Sequence, residues 1–207
     1  MYQRFKFLIP IVVIIIITTI GYMQIYAHNP FMELGSLVMT LVGDSSMNRK
    51  APEIQGIAEW INSEPLTLAQ LQQDGNVVLV EFWTYACVNC QRSLPHVVLW
   101  HEKYKDQGLV IIGVHTPEFK FERDSTNVRL EMAKYPITFS VALDNDYKTW
   151  RAWGNHFWPA TYLVDVYGNV VYQRFGEGAY EVTEAKIQEL LAEAKQYRET
   201  NGIELDQ

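Results

Sequence analysis

Apolar residues follow three patterns along this chain. Residues 7–26 form a nearly charge-free run packed with Ile and Val, preceded by Arg4 and Lys6. A run of about 20 such residues suits a helix that crosses a bilayer. From residue 51 onward the runs shorten. Segments 77–83 and 109–114 are continuous apolar blocks of the kind found in strands covered on both faces. Between them, Leu94, Val97, Val98 and His101 recur at three- and four-residue spacing, which predicts a helix over 89–105 with Gly108 beyond its end. Thr67 with Gln70 reads as a capping box opening a short helix through Leu71, ended by Asp74-Gly75-Asn76. Helices are also expected over 126–134, 147–153 and 183–197, the last with Ile187, Leu190, Leu191 and Ala194 on one stripe. The apolar segment 139–143 lies between the first two of these. Segments 160–165 and 170–175 flank Val166-Tyr167-Gly168-Asn169, a hairpin signal that predicts an antiparallel edge.

Strands that alternate with helices in this way predict an α/β domain, with a mixed central sheet and helices on both faces. The chain divides into a transmembrane anchor at 1–27, a linker at 28–50 and a domain at 51–207. Between the apolar run and Asn48 only Glu33 and Asp44 are charged, so the basic residues ahead of the run place the N-terminus in the cytoplasm and the domain outside it, in a periplasmic or equivalent space. A cleaved signal peptide is the competing reading, but its apolar core is shorter and Ile25-Tyr26-Ala27 is a poor cleavage site. The apolar stretch 31–43 is too short to span, and fits either a helix lying on the membrane surface or a linker packed on the domain.

Charge removes one class of partner. With 17 basic against 24 acidic residues, a net charge of -7 and no basic tract, the chain is not suited to nucleic acid. The cysteines add another constraint, because Cys87 and Cys90 are the only two. A disulfide between them closes a loop too small to staple a fold of this size, so reversible chemistry explains the pair better than crosslinking. Cys87 falls where a strand gives way to a helix. Unpaired N–H groups and the positive end of the helix dipole favour a thiolate there, and the thiolate is the attacking species in disulfide exchange. Cys90 is one turn further along and is placed to resolve a mixed disulfide. A zinc or copper(I) site is the rival use of Cys-x-x-Cys, but the sequence has no second pair, and the five histidines lack His-x-x-x-His spacing. No metal and no cofactor are expected.

The stretch Glu81-Phe82-Trp83-Thr84-Tyr85-Ala86-Cys87-Val88-Asn89-Cys90 resembles the active-site segment of the thioredoxin superfamily. Together with Leu94-Pro95-His96, Gly113-Val114-His115-Thr116-Pro117-Glu118 and Phe157-Trp158-Pro159-Ala160, it is similar to the TlpA-like group of anchored disulfide reductases, and to its DipZ-like branch in particular. The resemblance implies a thioredoxin-like fold over about 52–195. It implies that Pro159 is a cis-proline facing the redox pair and aligning the substrate, with a trans turn proline as the alternative, and that Pro95 kinks the helix. Glu81, six residues before Cys87, matches a buried acid that moves the proton of Cys90, with a solvated glutamate as the alternative. Trp83, Tyr85 and Trp158 are candidates for an apolar substrate groove, against the plainer reading that they are core. The chain departs from the group at Ser93, where several TlpA-like reductases carry Glu, and at Ala86 and Asn89, where Trp and Pro are common.

The expected activity is therefore reduction of protein disulfides by dithiol exchange outside the cytoplasm. The resemblance implies clients such as apocytochrome haem-binding cysteines, and a membrane electron donor for recycling. The chain is expected to work as a monomer. A disulfide oxidase or isomerase and a redox-inert binding or metal-transfer module are the alternatives, and no motif typical of a peroxidatic cysteine is present.

Overall fold

The computed structural model describes residues 49–205, and the expected anchor at 1–27 lies outside them, as does all of the expected linker except Arg49 and Lys50. Among the described residues no helix is long and apolar enough to cross a membrane.

The strands are β1 (Arg49–Lys50), β2 (Trp60–Ile61), β3 (Val77–Trp83), β4 (Leu109–His115), β5 (Ser140–Leu143), β6 (Ala160–Val164) and β7 (Asn169–Phe175). The helices are α1 (Leu68–Gln73), α2 (Val88–Tyr104), α3 (Ser125–Met132), α4 (Lys148–Ala152) and α5 (Tyr180–Asn201). Short 3-10 turns occupy Lys105–Gln107 and Lys120–Arg123. The seven strands form one sheet in the order β1-β7-β6-β3-β4-β5-β2. β3 runs parallel to β4, and β4 to β5, while every other pairing is antiparallel. This is a mixed sheet with a thioredoxin-like α/β arrangement.

Every residue of β3 is buried, because the strand lies mid-sheet with both faces covered. Its odd positions Val77, Leu79 and Trp83 join one apolar cluster with Leu94 and Val97 of α2, Val128 of α3 and Ile187, Leu190, Leu191 and Ala194 of α5. Its even positions Val78, Val80 and Phe82 join the opposite cluster with Leu68 and Leu71 of α1 and Trp150 of α4. The period of two thus sorts one apolar run between two layers. A buried Leu or Ile contributes about 2 kcal/mol of transfer free energy, so each layer is held by several such side chains at once.

Three details differ from the sequence expectation. Thr67 caps α1 by accepting from Gln70 N, but the Gln70 side chain donates forward to Asp74 Oδ1 at 2.9 Å, which leaves only half of a capping box. The hairpin β6–β7 forms as expected, yet β7 is not the edge, because Arg49 and Lys50 pair with Val170 and Asn169 outside it. The sheet therefore takes in two residues assigned to the linker. At the other margin, β2 is a two-residue strand against β5 that hydropathy did not signal.

Candidate active site

β3 ends at Trp83, and a tight turn carries the chain into α2, with Cys87 N donating to Thr84 O at 3.4 Å. Cys87 is the N-cap residue of α2, and its sulfur accepts from Cys90 N at 3.3 Å. Cys87 is half-buried, Cys90 is fully buried, and both are free thiols. The Cys87 thiol is brought down to about 6, first by its hydrogen bond with the Cys90 side chain and then by the backbone N–H groups of Cys90 and Asn89, against an opposing push from burial. The Cys90 thiol is driven strongly upward, first by burial and then by its contact with Cys87, and a charge on Glu81 raises it further. One sulfur is therefore a ready nucleophile near neutral pH, while the other keeps its proton until something removes it.

Glu81 lies in register between Gly113 of β4 and Thr161 of β6. It is 1 % exposed, so it is a buried acid rather than a solvated one. Thr161 Oγ1 donates to its Oε2 at 2.6 Å, while Oε1 has no protein partner. Burial raises the carboxyl to about 7, with the Thr161 bond acting in the opposite sense. An acid so poised can accept a proton near neutral pH and release it again.

The Trp158–Pro159 peptide is cis, and Pro159 immediately precedes β6, whose Ala160 is level with Phe82 at the end of β3 nearest the cysteines. Trp158 is half-buried; its Nε1 donates to Thr116 O at 3.1 Å and its ring lies 4.2 Å from that of Trp150. Tyr85 is half-buried as well. It stacks on His115 with centroids 5.6 Å apart and donates its hydroxyl to Phe121 O at 3.2 Å.

Trp83 does not line a groove. It is 1 % exposed and lies edge-on to His115, in space left free by Gly113, where a Cβ would sit 3.0 Å from Trp83 Nε1 and 2.9 Å from Phe139. As an odd position on β3 it points into the layer under α2, away from any client. The exposed aromatics near the site are instead Phe119 and Phe121, stacked at 5.5 Å with Phe121 beside Tyr85, and Phe157, beside Phe175 at 5.1 Å. His115 is fully buried and burial depresses it to about 4, so it is neutral at physiological pH, while His156 is exposed. His101 packs edge-on to Phe139. Pro95 lies inside α2, and Ser93 donates to Cys90 O at 3.0 Å. Among the described residues no group of three His, Cys, Asp or Glu side chains is gathered to hold a metal ion.

Two residues at the site were missed by the sequence reading. Glu122 is fully buried and accepts from Thr84 Oγ1 and Ala86 N through one oxygen, and from Glu118 N and Phe119 N through the other. Asn155 is buried beneath the cis bond, donating to Phe157 O at 3.0 Å and accepting from Tyr162 Oη at 3.1 Å. An acid directly after two closely spaced aromatics, in Phe119-Lys120-Phe121-Glu122, was the only available hint of the first; no periodic pattern marks either residue.

The model of the AhpC/TSA family matches residues 47–173. Protein DipZ of Mycobacterium tuberculosis is 49% identical over 148 residues, covering 70% of this chain and 21% of DipZ, so the match spans about a fifth of that relative's length. Thiol-disulfide oxidoreductase YkuV of Bacillus subtilis is 28% identical over 149 residues, which is 72% of this chain and 99% of YkuV. Among solved structures, a candidate thiol:disulfide interchange protein DsbE from Chlorobium tepidum superposes with a TM-score of 0.61 at 25% identity, over 72% of this chain and 99% of that one.

Proposed function

We propose, from the premise that this chain belongs to the AhpC/TSA family of thioredoxin-like proteins, that it is a thiol-disulfide oxidoreductase which reduces protein disulfides outside the cytoplasm through Cys87 and Cys90. The observation that carries this reading is the asymmetry of the two thiols. Cys87 is accessible at a helix N-terminus with its pKa lowered to about 6, and Cys90 is buried beside an acid poised near 7.

In the first step the Cys87 thiolate attacks one sulfur of a client disulfide. The client S–S bond breaks, a Cys87–client disulfide forms, and the departing client thiolate takes up a proton. Next, Glu81 accepts the Cys90 proton directly or through water, and Cys90 attacks the Cys87 sulfur. The second client thiol leaves, the protein is left with a Cys87–Cys90 disulfide, and two electrons have passed to the client. Pro159 and Trp158 form the wall along which the client chain aligns, with Tyr85, Phe119 and Phe121 on the other side. A membrane electron donor returns the pair to the dithiol.

The extracytoplasmic placement rests on the apolar run 7–26 behind Arg4 and Lys6. The reducing direction rests on compartment logic, since an oxidising space needs electrons delivered to selected clients, of which apocytochrome cysteines are one class. Equilibrating the full chain with dithiothreitol or glutathione buffers gives the potential of the pair. A value well below about -200 mV supports a reductant, and one near -120 mV overturns that direction in favour of an oxidant. Replacing Cys90 by Ser should also hold clients as mixed disulfides on Cys87.

A further inference from the structure

Glu122 takes no part in the exchange steps, yet it is the most fully bonded buried acid near the site. Its Oε1 accepts from Thr84 Oγ1 and from Ala86 N at 3.0 Å, and its Oε2 accepts from Glu118 N and Phe119 N, both at 2.7 Å. Three of the four donors are backbone N–H groups, which can only donate, and each oxygen faces at least one of them. A carboxylate fits this arrangement, whereas an amide in either orientation would set its NH2 against an N–H. The donors come from two segments distant in sequence: the 84–86 turn that delivers the chain to Cys87, and the 118–119 loop that bears an exposed Phe.

Both thiols depend on the position of that turn. Ala86 directly precedes Cys87, and where it lies sets the sulfur relative to the N–H groups of Asn89 and Cys90 that bond to it. A backbone hydrogen bond from Thr84 reaches Cys90. The carbonyl of Tyr85, between them, is held by Gln91 Nε2 at 2.8 Å.

We propose that Glu122 is a positioning residue for the exchange reaction: by clamping the 84–86 turn to the 118–119 loop, its carboxylate holds the Cys87 sulfur in register with the backbone N–H groups of Asn89 and Cys90 that bond to it. This rests on the reading of Cys87 as the attacking thiolate. Glu122 could influence Cys87 in two ways of opposite sign. As a nearby negative charge, like Glu118, it would disfavour the thiolate, so Glu122→Gln would make Cys87 more acidic. As a clamp it favours the thiolate, so the same substitution makes Cys87 less acidic.

The experiment is the pH dependence of iodoacetamide alkylation of Cys87 in the reduced, detergent-solubilised full chain, read by mass spectrometry, for the wild type, Glu122→Gln and Thr84→Val. If the clamp is lost and the thiolate weakens tenfold, the ionised fraction at pH 6 falls from about one half to about one tenth, and the alkylation rate falls about fivefold. Thr84→Val removes one bond of the four and should give a smaller fall in the same direction. An unchanged or lowered midpoint in Glu122→Gln overturns the proposal. If that variant does not fold, as judged by circular dichroism, folded Thr84→Val decides: a raised midpoint supports the clamp and an unchanged one overturns it. A wild-type chain that shows no Cys87 ionisation below about pH 8 would instead refute the function on which the proposal rests.

Discussion

Replacing Glu81 by Gln keeps an acceptor for Thr161 Oγ1 but removes an acid that burial has raised from 4.5 to about 7. The folded protein holds this proton more tightly than the unfolded chain does. Between pH 4.5 and 7 it therefore binds more protons than the unfolded state, and stability falls as pH rises through that window. The cost of ionising the buried carboxyl is absent at pH 4.5 and reaches roughly 3 kcal/mol above pH 7. Urea unfolding of wild type and Glu81→Gln at pH 4.5 and pH 8 measures it. The variant should gain about 2–3 kcal/mol on the wild type between the two pH values. Subtracting the curves cancels the titration of Cys87, which runs the other way: its lowered pKa adds stability that is complete above about 9 and lost as pH falls through about 6. The same substitution should slow resolution by Cys90 by about 10²-fold or more, because the proton acceptor is gone. A stability difference that does not change with pH would refute the argument that Glu81 is a desolvated acid, whatever the effect on turnover.

Alkylation of the wild-type chain should show one transition for Cys87 near pH 6, with Cys90 modified only on unfolding, as mass spectrometry would record. Trp83→Ala should cost about 3–5 kcal/mol in urea unfolding, because it empties a packed site, a loss an exposed substrate contact would not produce. Phe121→Ser, at a side chain 56 % exposed, should change stability by less than about 0.5 kcal/mol yet raise KM for a peptide disulfide with apolar flanks; an unchanged KM would remove Phe121 from the client surface.

Legibility in the sequence followed the range of the interactions. β3 and β4 could be read because a strand covered on both faces is apolar at every position, and α5 because Ile187, Leu190, Leu191 and Ala194 repeat on one stripe. The redox pair could be read because its chemistry lies within four consecutive residues. Glu122 could not, because its function lies in bonds to backbone N–H groups as far as 36 residues away, which leave no trace in residue type. Trp83 was misplaced because a continuous apolar run hides which face each side chain takes; counting in twos from Glu81 would have put both under α2. β2, only two residues long, is held by pairing with Val141 and Ala142 of β5 rather than by local propensity.

The pairing of β1 has a mechanical consequence. Arg49 and Lys50 join Val170 and Asn169 at the far end of β7, whereas Cys87 lies at the opposite pole of the sheet. A pull at the start of β1 would first peel away two residues, whose only side-chain rivets among the described residues are the bonds from Arg49 to Trp153 O and from Lys50 to Tyr167 O. That ribbon would yield ahead of the central strand, so the first give under tension falls at the pole remote from the redox turn.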